Sequence, residues 1–262
     1  MRRQNSSGSS SVRLIIGVII AVISLISYFA SSELNPVTGE NQYISLTVDQ
    51  EIALGLQSAP TMIQEYGGLY QDTDVQNQIK RIGNRLVQDS IASTTPWQFE
   101  FYVLDSDVIN AFALPGGPVF ITSGLLSQLD SEDAAAGVLS HEIVHVLARH
   151  SAQRIAKSDL TNGMIGAVGV ASGDRGTAQA AAVIGNLVNM QYGRDDEIES
   201  DTLGVCLMLS AGYDPQAMVD VMEVLAQSGG GRQPEFFSSH PNPDNRIEKI
   251  QQAIDTAAQE CP

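Results

Sequence analysis

Basic charge is what this chain most lacks: 14 Lys+Arg stand against 30 Asp+Glu, a formal net charge of -16. Binding a phosphate backbone needs a basic face, and so few cations cannot assemble one, which argues against a nucleic-acid partner. The same acidity repels anionic lipid, so membrane contact has to come from an apolar anchor. Cysteine is scarce too. Cys206 and Cys261 stand alone, with no C-x-x-C spacing for a metal or redox site. In an exported chain they permit one disulfide, and two buried thiols are the equal alternative. Charged residues reach only 17% while hydrophobic ones make up 43%, which is globular rather than disordered composition. No internal repeat is visible, and 262 residues suffice for one generous domain or a domain with appendages.

One long apolar run is present. Residues 14–30 (LIIGVIIAVISLISYFA) contain no charge and follow Arg2, Arg3 and Arg13. The run is at the lower edge of length for crossing a bilayer and longer than an ordinary signal-peptide core. Basic residues stay on the cytoplasmic side. Residues 1–13 are therefore expected to be a basic cytoplasmic tail, and the chain after Ala30 to face the periplasm or another exported space. Ala30 and Ser32 also fit a signal-cleavage pattern, so secretion after a cut near Ser32 stands beside an uncleaved anchor. Residues 31–45 are rich in turn formers and predict a linker, with one domain over residues 46–262.

Within that domain the pattern is mainly helical. Amphipathic spacing predicts a helix over residues 46–66, bent or interrupted by Pro60. Another runs over residues 72–91 behind a cap at Asp72 or Thr73. Alternation predicts strands over 97–104, 108–114 and 119–122, the last two turned by Pro115-Gly116-Gly117-Pro118. Ser131 caps a helix reaching about His150. Residues 162–190 are rich in Gly and Ala, too broken to be a second span, and suited to close helix packing. Further helices are expected over 195–210, ending at Gly212, after Asp214-Pro215, and over 243–258, with a flexible loop at 228–233. The fold class is α+β, mainly helical, with a small sheet.

Chemistry concentrates in His141-Glu142-Ile143-Val144-His145. Residues four apart share a helical face, so both imidazoles can reach one ion. Glu142 can point to a water on that ion, whose pKa zinc lowers to near neutrality, and accept its proton as general base. Val138, Leu139, Ile143, Val144 and Leu147 bury the helix, which argues against two histidines on a solvated face. A catalytic zinc needs a third protein ligand. Ala148 and Ser151 stand where a metzincin would place glycine and histidine, and His150 is one residue early, about 100° around the helix. His150 is therefore expected to be a charge at the helix C-terminus. With four histidines in all, a carboxylate is the better ligand. Glu197 and Asp201 share a face, so Glu197 can bind metal while Asp201 holds a ligand histidine by its far nitrogen. Asp196 and Glu199 fit a solvated acidic helix start.

H-E-x-x-H followed by Glu197-x-x-x-Asp201 resembles the gluzincins of the HtpX and CAAX-prenyl-protease superfamily. Residues 35–39 (NPVTG), 50–55 (QEIALG), 110–117 (NAFALPGG), 119–125 (VFITSGL) and Ser239-His240-Pro241 with Arg246-Ile247 agree with it. With one apolar run instead of several, the chain is most similar to the exported BepA- and LoiP-like branch. The resemblance implies a zincin-like fold and endoproteolysis of misfolded or envelope proteins. It implies one Zn2+ per chain on His141, His145 and Glu197, with Glu142 as base and Asp201 behind a ligand. The strand containing Val119, Phe120 and Ile121 is expected to offer an open edge to an extended or unfolded polypeptide. Asn110 either holds that substrate's backbone or stabilises a turn. His240 either steadies the oxyanion, latches the open zinc position, or caps the last helix. A latent or chaperone-like assembly factor with a non-cleaving metal site is the alternative function.

Overall fold

The computed structural model describes residues 7–172, 192–227, 234–241 and 245–261. The expected loop at 228–233, the later part of the Gly/Ala-rich segment and the expected start of the last helix at Pro243 lie outside the described residues. The chain forms two compact units, one of Met1–Leu46 with Ala152–Leu187, the other of Thr47–Ser151 with Val188–Pro262.

In the first unit, helix α1 (Ser7–Ala30) contains an apolar stretch, Ser11–Ala30, of 20 residues, long enough to cross a membrane. The expected linker is a small antiparallel hairpin of β1 (Ser32–Leu34) and β2 (Asn41–Tyr43). Its turn is closed by Asn35, whose Oδ1 accepts from Val37 N and Thr38 N. Turn formers were read correctly there, and the three-residue strands they join were too short to show a period.

The second unit starts with α2 (Val48–Glu65), where Thr47 and Gln50 make a capping box. Pro60 does not interrupt it. The carbonyl of Leu56 loses its helical donor, but Leu56 is exposed, so water can take that place. Asp72 caps α3 (Thr73–Gln88), which buries Ile79, Ile82 and Leu86. The sheet contains β3 (Glu100–Leu104), β4 (Ala111–Ala113) and β5 (Pro118–Thr122) in the order β3-β5-β4. β5 runs parallel to β3 and antiparallel to β4, with Phe101 opposite Val119 and Phe112 opposite Phe120. Gly116 (φ 82) and Gly117 (φ 137) make the β4–β5 turn, and no Cβ fits at Gly117 against Gln98.

This order corrects one expectation. Val119, Phe120 and Ile121 lie on the central strand, wholly buried and paired on both sides, so they have no open edge. Parallel pairing with β3 covers that side, a non-local contact that no local pattern announces. The edge strands are β3 and β4, and β4 packs against helix α5 (Glu132–Leu147).

Ser131 caps α5, and every residue from Ala134 to Leu147 is buried. Around it lie α3, α7 (Arg194–Ser210) and α8 (Gln216–Gln227), while α10 (Arg246–Glu260) packs on α7 and α8. The short α4 (Ser123–Leu126) and α9 (Phe236–Ser239) and the helix α6 (His150–Ser172) complete the set among the described residues. Gly204 lets α7 close on α5: its Cβ position would lie 3.2 Å from Ser140 Oγ and 3.5 Å from His141 N. Cys206 and Cys261 are joined by a disulfide between α7 and the end of α10.

Candidate metal centre

Four side chains converge between α5, α7 and the segment after α9. His141, His145, Glu197 and His240 each turn one ligating atom inward, all within 4.8 Å of one another, and all four are buried. His141 Nε2 lies 3.0 Å from His145 Nε2 and 3.3 Å from His240 Nδ1. Glu197 lies 3.5 Å from each of His141 and His145 and 3.1 Å from His240 Nδ1. A tetrahedral ion with bonds of about 2.0–2.1 Å sets its ligand atoms roughly 3.3 Å apart. The observed separations bracket that value, and imidazole plus carboxylate is a donor set that suits zinc. Buried oxygen Oε2 of Glu197 and both oxygens of Glu142 have no hydrogen-bond partner, which is costly unless something else meets them. These residues fit a metal ion.

Behind each histidine of α5 stands a different support. His141 Nδ1 is 2.9 Å from Asp201 Oδ1. Asp201 in turn accepts from Arg246 Nε at 2.6 Å and Nη2 at 2.9 Å, a bidentate pair. Arg246 Nη1 lies 2.9 Å from Glu197 Oε2, in ion-pair reach but out of hydrogen-bond alignment. Burial would push His141 down, yet hydrogen bonds to Asp201 and Glu197 outweigh it and raise it to about 9. Burial would raise Asp201 and Glu197 likewise. Arg246 holds Asp201 below the usual carboxylate range, and His240 and His141 do so for Glu197. Glu142 goes the other way: burial raises it, and His240, 3.5 Å off, opposes only in part.

His145 is held by His150, whose Nδ1 lies 2.8 Å from His145 Nδ1, and by Ser200 Oγ at 3.3 Å. His150 Nε2 is 2.8 Å from Glu199 Oε2. Tyr192 stacks on the His145 ring, centroids 3.7 Å apart. Two expectations are corrected here. His150 is a buried link between His145 and Glu199 rather than a terminal charge, and Glu199 is its partner rather than a solvated acid. Helix α5 ends at Leu147, Arg149 takes a left-handed φ of 55, and α6 restarts at His150. That break rotates His150 back toward His145. Arg149 is stationed there by Glu51, which accepts from its Nε at 2.9 Å.

Asn110 belongs to a different network. Its Nδ2 donates to Tyr66 Oη at 3.2 Å, and Tyr66 donates to Glu235 at 3.2 Å. Burial, with Glu235 adding to it, pushes Tyr66 up to about 12. Asn110 Oδ1 is buried without a partner. His240 does not cap the last helix, whose N-cap is Asn245; its ring stacks on Phe236 at 4.5 Å and faces the cluster. Val119, Phe120 and Ile121 are core. Arg246 and Tyr192 are site residues that spacing did not single out, although Arg246 had appeared within the motif of the resemblance.

A family model described as Peptidase family M48 matches residues 73–254. The chain is 32% identical over 245 residues to the beta-barrel assembly-enhancing protease of Yersinia pestis, covering 89% of this chain and 50% of that protein. It is 31% identical over 228 residues to the protein of that name in Escherichia coli K12, covering 83% and 46%. It is 30% identical over 236 residues to the mitochondrial metalloendopeptidase OMA1 of Schizosaccharomyces pombe, covering 88% and 68%. The chain thus spans about half the length of the bacterial relatives it matches.

Proposed function

The chain belongs to peptidase family M48, a family of metallopeptidases, and on that premise we propose that it is a zinc-dependent endopeptidase acting on unfolded or extended polypeptide. His141, His145 and Glu197 would hold the ion. Zinc supplies a polarised carbonyl and a nucleophilic water near neutral pH. The observation that carries the proposal is Glu142: fully buried, beside the ligands, with neither oxygen hydrogen-bonded. A structural site needs no such carboxylate. Glu142 takes a proton during attack and returns it to the leaving amine, and its upward shift brings it closer to that task. Asp201 fixes the far nitrogen of His141, and Arg246 keeps Asp201 ionised.

An extended substrate is best placed along β4, which pairs with β5 on one side only. Asn110, at the start of that strand, has the oxygen to accept from a substrate N–H. The apolar α1, preceded by arginines, supports attachment to a membrane with the peptidase unit on the exported side. We propose envelope or misfolded proteins as the substrates; the bacterial relatives are named for enhancing beta-barrel assembly. Wild-type chain and Glu142→Gln should both bind zinc, and only the wild type should cleave casein. Cleavage by Glu142→Gln at the wild-type rate would refute the assignment.

His240 favours a second reading, a latent form. Its Nδ1 lies 3.3 Å from His141 Nε2 and 3.1 Å from Glu197 Oε1, the spacing of atoms that share one ion, so His240 would take the position that a working site keeps open. In that case His240→Ala would gain cleavage at unchanged zinc content. Loss of cleavage would return His240 to a role in the reaction itself.

A further inference from the structure

Helix α6 has a second half that the metal site does not use. After Asp159 no charged residue occurs until Asp174, and Met164 (37%), Ile165 (64%) and Val170 (37%) stand exposed. The opposite face of α6 is covered: Leu160, Gly163 and Ala167 are half-buried or buried, at spacings of three and four. A matching face runs along the membrane-length α1, where Gly17, Ile20, Ala21, Ser24 and Tyr28 are the shielded positions. The two faces meet. Gly163 leaves no room for a Cβ against Ser24, and Ser24 satisfies its own hydroxyl by donating to Ile20 O at 3.0 Å. Small residues at such a crossing are how helices approach each other inside lipid.

The level of this crossing can be read from the same unit. Tyr28, Phe29 and Tyr43 cluster at the end of α1, the Tyr28–Tyr43 rings stacked at 4.7 Å, as aromatics do at a membrane surface. Asp159 lies beside Ser45, 3.3 Å from its hydroxyl. From Asp159 to Gly163 the helix therefore moves from the surface end toward Ser24, which stands six residues, about 9 Å, inside the end of α1. Residues 163–172 run about 15 Å, half of a hydrocarbon core of about 30 Å, enough to enter one leaflet and too short to cross. As a helix, the segment satisfies its own backbone there.

We infer that residues 163–172 of α6 lie inside the lipid against α1, entering the leaflet on the side of Tyr43 and Ser45. This rests on α1 being in the membrane, and the test separates the two. The full chain is placed in phosphatidylcholine vesicles containing a lipid with a diazirine in its acyl chain, photolysed and digested with trypsin. Carbene adducts are expected on the peptide of residues 158–175, mapping to 163–170, as well as on the peptide containing residues 14–30. Adducts on the anchor peptide alone would overturn the inference while leaving the anchor. Adducts on neither would overturn both. Ile165→Asp should cut labelling of residues 158–175 several-fold with zinc content unchanged; unchanged labelling would also overturn it.

Discussion

His141 and His145 sit one helical turn apart on α5, yet they are held by opposite means. His141 is fixed by charge: Asp201 on one side, Arg246 locking Asp201 from behind, Glu197 within reach. His145 is fixed by a hydrogen-bonded chain, His150 and then Glu199, with Ser200 and the Tyr192 ring beside it. A fully buried charge left without its partner is far more costly than a hydrogen bond lost beside a carboxylate that reaches solvent, as Glu199 does. The first flank is therefore where stability is concentrated, and the second is where metal affinity can be tuned with less effect on the fold.

The largest effect should follow from Asp201→Ala, which removes the bidentate partner of the buried guanidinium of Arg246 and leaves it Glu197 alone. Chemical denaturation of the metal-free chain should show a loss of about 3–5 kcal/mol, and adding Arg246→Met should recover much of it. A loss under about 1 kcal/mol would break the contrast between the flanks. Next comes pH. His141 is raised above its unfolded value, so in the metal-free chain its stabilising contribution is complete below about pH 6.5 and disappears as pH rises through about 9. Zinc has to displace that proton. Its apparent affinity should climb roughly tenfold per pH unit from pH 7 toward 9, measured by competition with a chelator of known affinity. A flat profile would mean that His141 is not held protonated.

On the other flank, His150→Ala should weaken zinc binding about 10–100-fold while metal-free stability changes less than in Asp201→Ala. Equal losses in both measurements would erase the distinction. Ser200→Ala, removing only the 3.3 Å contact, should cost under about 1 kcal/mol in either.

The contrast also marks what was legible in the sequence. His141 with His145 and Glu197 with Asp201 could be read because each pair has a spacing that a continuous helix turns into a shared face, and Glu142 because it directly follows the first histidine. His150 could not, because the helix is not continuous: Arg149 takes a left-handed φ and is stationed by Glu51, far away in sequence. Nor could the burial of Arg246, which depends on meeting Asp201 across the packing of α10 on α7. Most helices and caps were local matters and stand near where the pattern put them. The centre of the sheet was misjudged because β3 pairs with β5 over the intervening β4, a choice made by packing.

All of this depends on one ion held by three side chains. Zinc titration of the full chain beside Glu197→Ala decides it. The account predicts one zinc per wild-type chain and at least about 100-fold weaker binding in the variant. Equal stoichiometry and affinity in both would contradict it.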